Sequence, residues 1–155
     1  MKNTKILLTT FFSLIFFLLL STNTFGQKKA KPGEKNKFLE NKKYNVQFYE
    51  LKATGRGKAV PTMLLIKSGK VEADLMYEKL TLPPIAYIVN LDSTYTEDGV
   101  EMHMVTFEAN FTEDKNDYKW EATLINYDIE GTIVQMKSGV EKKKYEFSGS
   151  EKTKK

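Results

Sequence analysis

Cysteine is missing from this chain altogether. That one absence excludes disulfides, thiolate metal sites, a lipid-modified N-terminal cysteine and cysteine nucleophiles, so the fold has packing alone to hold it. Histidine is nearly missing too. His103 stands alone between Met102 and Met104, so a metal site would have to be built from carboxylates and a Ser-His-Asp arrangement would have to use this one residue. A general base also needs a positioned partner, and the expectation is a surface histidine on a strand. Phosphate-cradling glycine patterns are lacking: Gly55-Arg56-Gly57 has no long helix after it and reads as a flexible loop. The oxygen donors of Glu113-Asp114-Lys115-Asn116-Asp117 lack the glycine and distal glutamate of a calcium loop and read as a solvated turn. No catalytic residues, cofactor or metal are expected.

One long apolar run is present, at residues 6–20, interrupted by Thr9, Thr10 and Ser13 and preceded by Lys2 and Lys5. A polar stretch, Ser21-Thr22-Asn23-Thr24-Phe25-Gly26, follows it. This is the n-, h- and c-region order of a secretory signal, with cleavage before Gln27. A retained membrane anchor needs ~20 apolar residues, more than this run provides, so no stable membrane insertion is expected after cleavage. The expected division is a signal peptide at 1–26, a basic flexible linker at 27–43, a β domain at 44–150 and a basic tail at 151–155. The expected location is the periplasm or outside the cell.

The whole chain has 155 residues and a formal net charge of +4, of which Lys2 and Lys5 would leave with the signal. The remaining length fits one domain, given a usual size of roughly 100–200 residues. Lysines gather at its ends, at 28–37 and 142–155. They do not interleave with aromatics in any nucleic-acid-binding pattern, and they read as solvated tails.

Between the tails the apolar period is two. Val71, Ala73, Leu75 and Tyr77 alternate with polar residues, as do Ile85, Tyr87, Val89 and Leu91; Val105, Phe107, Ala109 and Phe111; Tyr118, Trp120, Ala122 and Leu124; and Tyr145, Phe147 and Gly149. That is the signature of half-buried strands. Eight are expected, at 44–52, 62–67, 70–77, 85–94, 100–112, 117–126, 129–137 and 143–149, and no helix. Turn residues at Ser68-Gly69, Glu97-Asp98-Gly99, Glu113 to Asn116, Tyr127-Asp128 and Ser138-Gly139 favour neighbour-to-neighbour antiparallel pairing. Closing such a meander buries its apolar face and removes both edges, so the expected fold is all-β, an eight-stranded antiparallel up-and-down barrel. The alternative is a two-sheet β-sandwich. The longer loops, 53–61 and 78–84, share one end of the meander, taken as its mouth.

Several of these strands carry a family pattern. Val105-Thr106-Phe107-Glu108-Ala109, Tyr118-Lys119-Trp120-Glu121-Ala122, Ile129-Glu130-Gly131-Thr132 and Tyr145-Glu146-Phe147-Ser148-Gly149 resemble small exported bacterial lipocalin-like (calycin-type) proteins. Those proteins show F-x-A, W-x-G, I-x-G-T and Y-x-F-x-G strands. Ala122 stands where glycine is usual. The likeness spans residues 62–150 and implies a lipocalin-like barrel and export, with no catalytic residues to transfer.

In such a barrel Phe48, Leu65, Leu75, Tyr77, Tyr87, Phe107, Trp120 and Tyr145, with Val89 and Leu124, would converge on the interior. Aromatic walls with a few phenol groups suit a small hydrophobic or amphipathic ligand, and the same residues can equally fill the space. The leading expectation is a ligand-binding protein of the cell envelope. The alternative is a structural or interaction protein with a filled interior, and an enzyme has no motif behind it. N-terminal sequencing of the protein from an exporting host is expected to begin at Gln27; a chain that keeps Met1 contradicts the export assignment.

Overall fold

Two-residue turns set the order of the sheet. In the computed structural model, which describes residues 30–152, the chain forms β1 (Lys42–Lys52), β2 (Gly55–Arg56), β3 (Val60–Lys67) and β4 (Lys70–Ala73). There follow α1 (Asp74–Leu80), β5 (Ile85–Glu97), β6 (Val100–Glu113), β7 (Asn116–Ile125), β8 (Asp128–Lys137) and β9 (Val140–Glu151). Ser68-Gly69, Asp98-Gly99 and Ser138-Gly139 each place two successive residues at positive φ, the backbone that matches the twist of a tight hairpin. The expected signal peptide and residues 153–155 of the basic tail lie outside the described residues.

The all-β reading holds, and so does the antiparallel meander. β1 pairs with β3 on one side and with β9 on the other, so eight strands hydrogen-bond in a ring, with β2 a short extension folded onto β1. The ring is not the expected barrel. β6 and β7 are paired along their length, but β4 meets β5 at two residue pairs only, Lys70 with Ala86 and Val71 with Ile85. A barrel requires a continuous ladder around its wall, and here that ladder fails along most of β5. A broad β5–β9 sheet folds over a shorter β1–β3–β4 sheet, fully joined at β9–β1 and barely joined at β4–β5. This lies nearer the two-sheet alternative, reached without crossovers because β9 returns to β1.

The seam is narrow because β4 is short at both ends: it begins only after the Ser68-Gly69 turn, so β5 beyond Tyr87 has no β4 residue to meet, and it ends at Ala73. The alternation at 70–77 predicts strand to Tyr77, yet the chain turns into α1 at Asp74. Leu, Met, Glu and Lys are good helix formers, Asp74 and Lys79 sit at the ends where the helix dipole favours them, and Leu75, Met76 and Leu80 are buried. Thr81, in the left-handed conformation, ends the helix, and Pro83-Pro84 cannot extend it. Leu75 faces the core in either reading, which is how the strand pattern ran on past its true end.

On the other side of the two pairs, residues 31–41 form a strap along the seam. Gly33 N–H donates to the Tyr87 carbonyl at 2.8 Å, and Tyr87 N–H donates to the Gly69 carbonyl at 3.1 Å. Gly33 and Gly69 touch so closely that a Cβ on Gly69 would run into the Gly33 carbonyl. Leu39, set among the lysines of this segment, is 0% exposed. It joins one core cluster with Tyr44, Val46, Phe48, Leu64, Ile66, Tyr87, Phe107, Trp120, Ile133 and Phe147. Phe147 stacks on Phe48 at 5.0 Å and takes the edge of Trp120 at 5.8 Å. Phe147 also lies across Gly131, where any Cβ would strike its ring and the Glu121 carbonyl.

Truncating a fully buried leucine costs about 2–5 kcal/mol. Leu39→Ala is therefore expected to lower the unfolding free energy by an amount in that range, read as a lower urea midpoint; a midpoint equal to wild type would mean that the strap is no part of the core.

Candidate functional site

The residues expected to line an interior site divide. Phe48, Leu75, Tyr87, Phe107, Trp120 and Tyr145 are buried in the packed core, Leu75 from α1 rather than from a strand. Leu65 is half-buried on the outer face, because the neighbours pointing inward are Leu64 and Ile66. Val60 to Ile66 is apolar enough in both phases that its own pattern is ambiguous; the pairing of Tyr44 with Leu64 decides it. Tyr77 sits on α1 and is 66% exposed. Leu91 also leaves the inward row: the register shifts between Val89 and Leu91, so Leu91 lies opposite Thr106 on the outer side. That shift is a β-bulge, which re-aims one side chain at the cost of the ladder.

The core side chains fill the space between the two sheets. Tyr44 Oη and Trp120 Nε1 are enclosed there without a hydrogen-bond partner among the described residues. Burial, with Glu151 near by, pushes the Tyr44 hydroxyl far above its ordinary value of 10, and burial with Glu50 near by raises that of Tyr145. The interior ligand site is thus corrected to a packed core, because the concavities found among the described residues are open and lie on outer surfaces.

One of these is a groove of about 590 Å³ that runs across the strands from β5 to β1. Two outward rows of the ladder border it. One is Thr106, Thr123, Glu130 and Ser148; the other is Glu121, Thr132, Glu146 and Tyr49. Its floor is the backbone of the inward row Phe107, Ala122, Gly131 and Phe147, and the side chains of Phe107, Ala122 and Phe147 turn away from the groove into the core. Asn90, the residue released by the bulge, closes the β5 end. Arg56 closes the β1 end: its guanidinium pairs with Glu146 at 2.6 Å and lies over the Tyr49 ring at 5.2 Å. Lys119 reaches Glu121 at 2.8 Å, and that hydrogen bond raises the Lys119 pKa. Three carboxylates and one guanidinium line the groove, a surface that accepts more hydrogen bonds than it donates. A second outer concavity, with Ile125, Asp128 and Ser150, continues it past Thr123, Glu130 and Ser148.

His103 belongs elsewhere. Its Nε2 meets Asp92 Oδ1 at 2.8 Å, Asn36 Nδ2 donates to the other carboxylate oxygen at 2.7 Å, and Phe38 stacks on the imidazole at 3.6 Å. Asn36 and Phe38 are strap residues, so the histidine anchors the strap. Glu40 anchors it again. Its carboxylate accepts from Ser68 N–H and Gly69 N–H at 2.9 and 2.6 Å and from Tyr87 Oη at 3.2 Å, while Tyr87 Oη accepts from Asn36 N–H at 3.1 Å. Sequence reasoning missed Glu40, Asn36 and Leu39 because a lysine-rich segment has no periodicity to flag. The pair Asn36–Leu39, a side-chain cap three residues before a lone leucine, was the one local signal.

Among the described residues no helix is long and apolar enough to cross a membrane, and no group of three or more His, Asp or Glu side chains could hold a metal ion. Compared with protein-family models, curated proteins and solved structures, the chain matches none. The lipocalin-like resemblance of residues 62–150 is therefore corrected: its F-x-A and Y-x-F-x-G strands are real strands, but of a ring-like sheet with an open seam rather than of a calycin barrel around a ligand.

Burial, with Glu40 beside it, pushes the Tyr87 hydroxyl up to about 12. The folded state thus holds Tyr87 neutral where the unfolded chain has ionised it. The stability from this group is whole below pH 10 and is lost as pH climbs through about 12. Urea midpoints measured from pH 9 to beyond 11 are expected to fall, and to fall less steeply in Tyr87→Phe; parallel declines would show that Tyr87 is not held neutral.

Proposed function

We propose that this protein is an exported, non-catalytic interaction domain of the cell envelope that works through its outer surface, with the β5–β1 groove as the contact surface. The observation that carries this reading is the bulge at Asn90. It breaks the β5–β6 register and brings a polar side chain to the end of a groove whose other end is set by Arg56 and Tyr49. Bulges recur where a side chain must be re-aimed for binding. The packed core supports the same reading, since it leaves recognition to the outside. Threonine and serine hydroxyls between the carboxylates suit an extended, polar partner laid across the strands, and the surplus of acceptors favours one that carries positive charge.

A fluorescently labelled oligolysine peptide tests this. Anisotropy is expected to show binding that weakens with added salt and drops about tenfold or more in Glu121→Lys with Glu130→Lys, the thermal midpoint staying near wild type because both side chains are exposed. No binding, or binding indifferent to the double substitution, would remove the groove from the reading.

A further inference from the structure

Among the described residues the seam leaves one strand edge without a strand partner. Beyond Tyr87, which meets Gly33 and Gly69, β5 has β6 as its strand partner on one side and, among the described residues, no strand on the other through residues 88–97. A row of unpaired N–H and C=O groups is a template for another strand. Edges are commonly protected by lysine, proline or an inward-pointing charge. After the bulge, residues 91–97 read Leu-Asp-Ser-Thr-Tyr-Thr-Glu, with neither lysine nor proline. Asp92, on the inner side, already has both oxygens engaged by His103 and Asn36. The stretch is rich in residues that favour strands.

We propose that two copies of this chain pair edge to edge through β5, antiparallel about a two-fold axis at Thr94, so that their two sheets become continuous. Charge selects a second copy over any other extended segment. The turn that ends β5 is acidic, with Glu97, Asp98 and Glu101 all exposed, and the strap beside the start of the edge is basic, with Lys35 and Lys37 exposed on either side of Asn36. Asn36 is the residue that holds Asp92. With the axis at Thr94, position 97 of one copy falls opposite position 91 of the other, next to Asp92. The acidic turn of each copy thereby comes alongside the basic strap of the other, and a two-fold axis makes the contact twice. In this register Leu91 faces Glu97, Asp92 faces Thr96 and Ser93 faces Tyr95, so no like charges are opposed. Tyr95 and Val100, exposed on the same hairpin, lie within the joined arms.

Sedimentation equilibrium of the protein purified from an exporting host, over a concentration series at low and high salt, reads the dimer directly. The expected result is a reversible, salt-weakened dimer. Glu97→Lys with Glu101→Lys is expected to raise its Kd about tenfold or more, and adding Lys35→Glu with Lys37→Glu is expected to restore it, because the charges have then only changed places. Thr94→Lys, which sets two like charges at the axis, is expected to leave a monomer with the wild-type circular dichroism spectrum. A monomer at every concentration overturns the proposal. So does a dimer that these substitutions leave unmoved, or one that the fourfold swap fails to restore.

Discussion

Two residue pairs, Lys70 with Ala86 and Val71 with Ile85, are all that joins β4 to β5, and the rest of the molecule is arranged around that shortfall. Backbone groups that lose their ladder must be met by something else. On one side of the pairs α1 takes over from β4 and meets its own backbone needs while burying Leu75, Met76 and Leu80. On the other side the strap supplies Gly33 to the Tyr87 carbonyl and Glu40 to the turn at Ser68-Gly69. A fully laddered wall would have needed neither.

The strap joins electrostatics to packing. Glu40 is a carboxylate within reach of two backbone N–H groups and a phenol, and hydrogen bonds to a charged acceptor are stronger than neutral ones. They hold Leu39 in the core at one end of the strap's path, while the Asp92–His103 pair and the Phe38 stack hold it at the other. The same closeness of Glu40, with burial, keeps Tyr87 neutral far into the alkaline range.

Where the core is fully laddered, the outer surface is free to carry chemistry. Ala122 and Gly131 turn inward between two polar outer rows, and Phe147 fills the inner space that Gly131 leaves. The Asn90 bulge then serves two ends at once: it turns a side chain toward the groove and shifts Leu91 out of the inward row. It also marks where the regular free edge of β5 begins.

Local patterning decided most of the architecture. Alternation placed the inward faces of β6, β7 and β9 correctly, from Val105 to Ala109, Tyr118 to Leu124 and Tyr145 to Phe147, because a one-residue slip would expose every apolar side chain on them. Turn residues placed the hairpins, because Gly and its polar partners tolerate positive φ where others do not. What local pattern could not carry were features set by partners distant in the chain. Leu64 rather than Leu65 points inward because Tyr44 lies opposite it; Tyr77 is exposed because the short β4 gives way to a helix; and Leu39 is buried because an open seam, itself the product of strands far apart in sequence, needed covering. Whether a meander closes into a barrel depends on every neighbouring pair of strands being long enough to complete the wall, and that length is settled by packing between segments, which no single segment records.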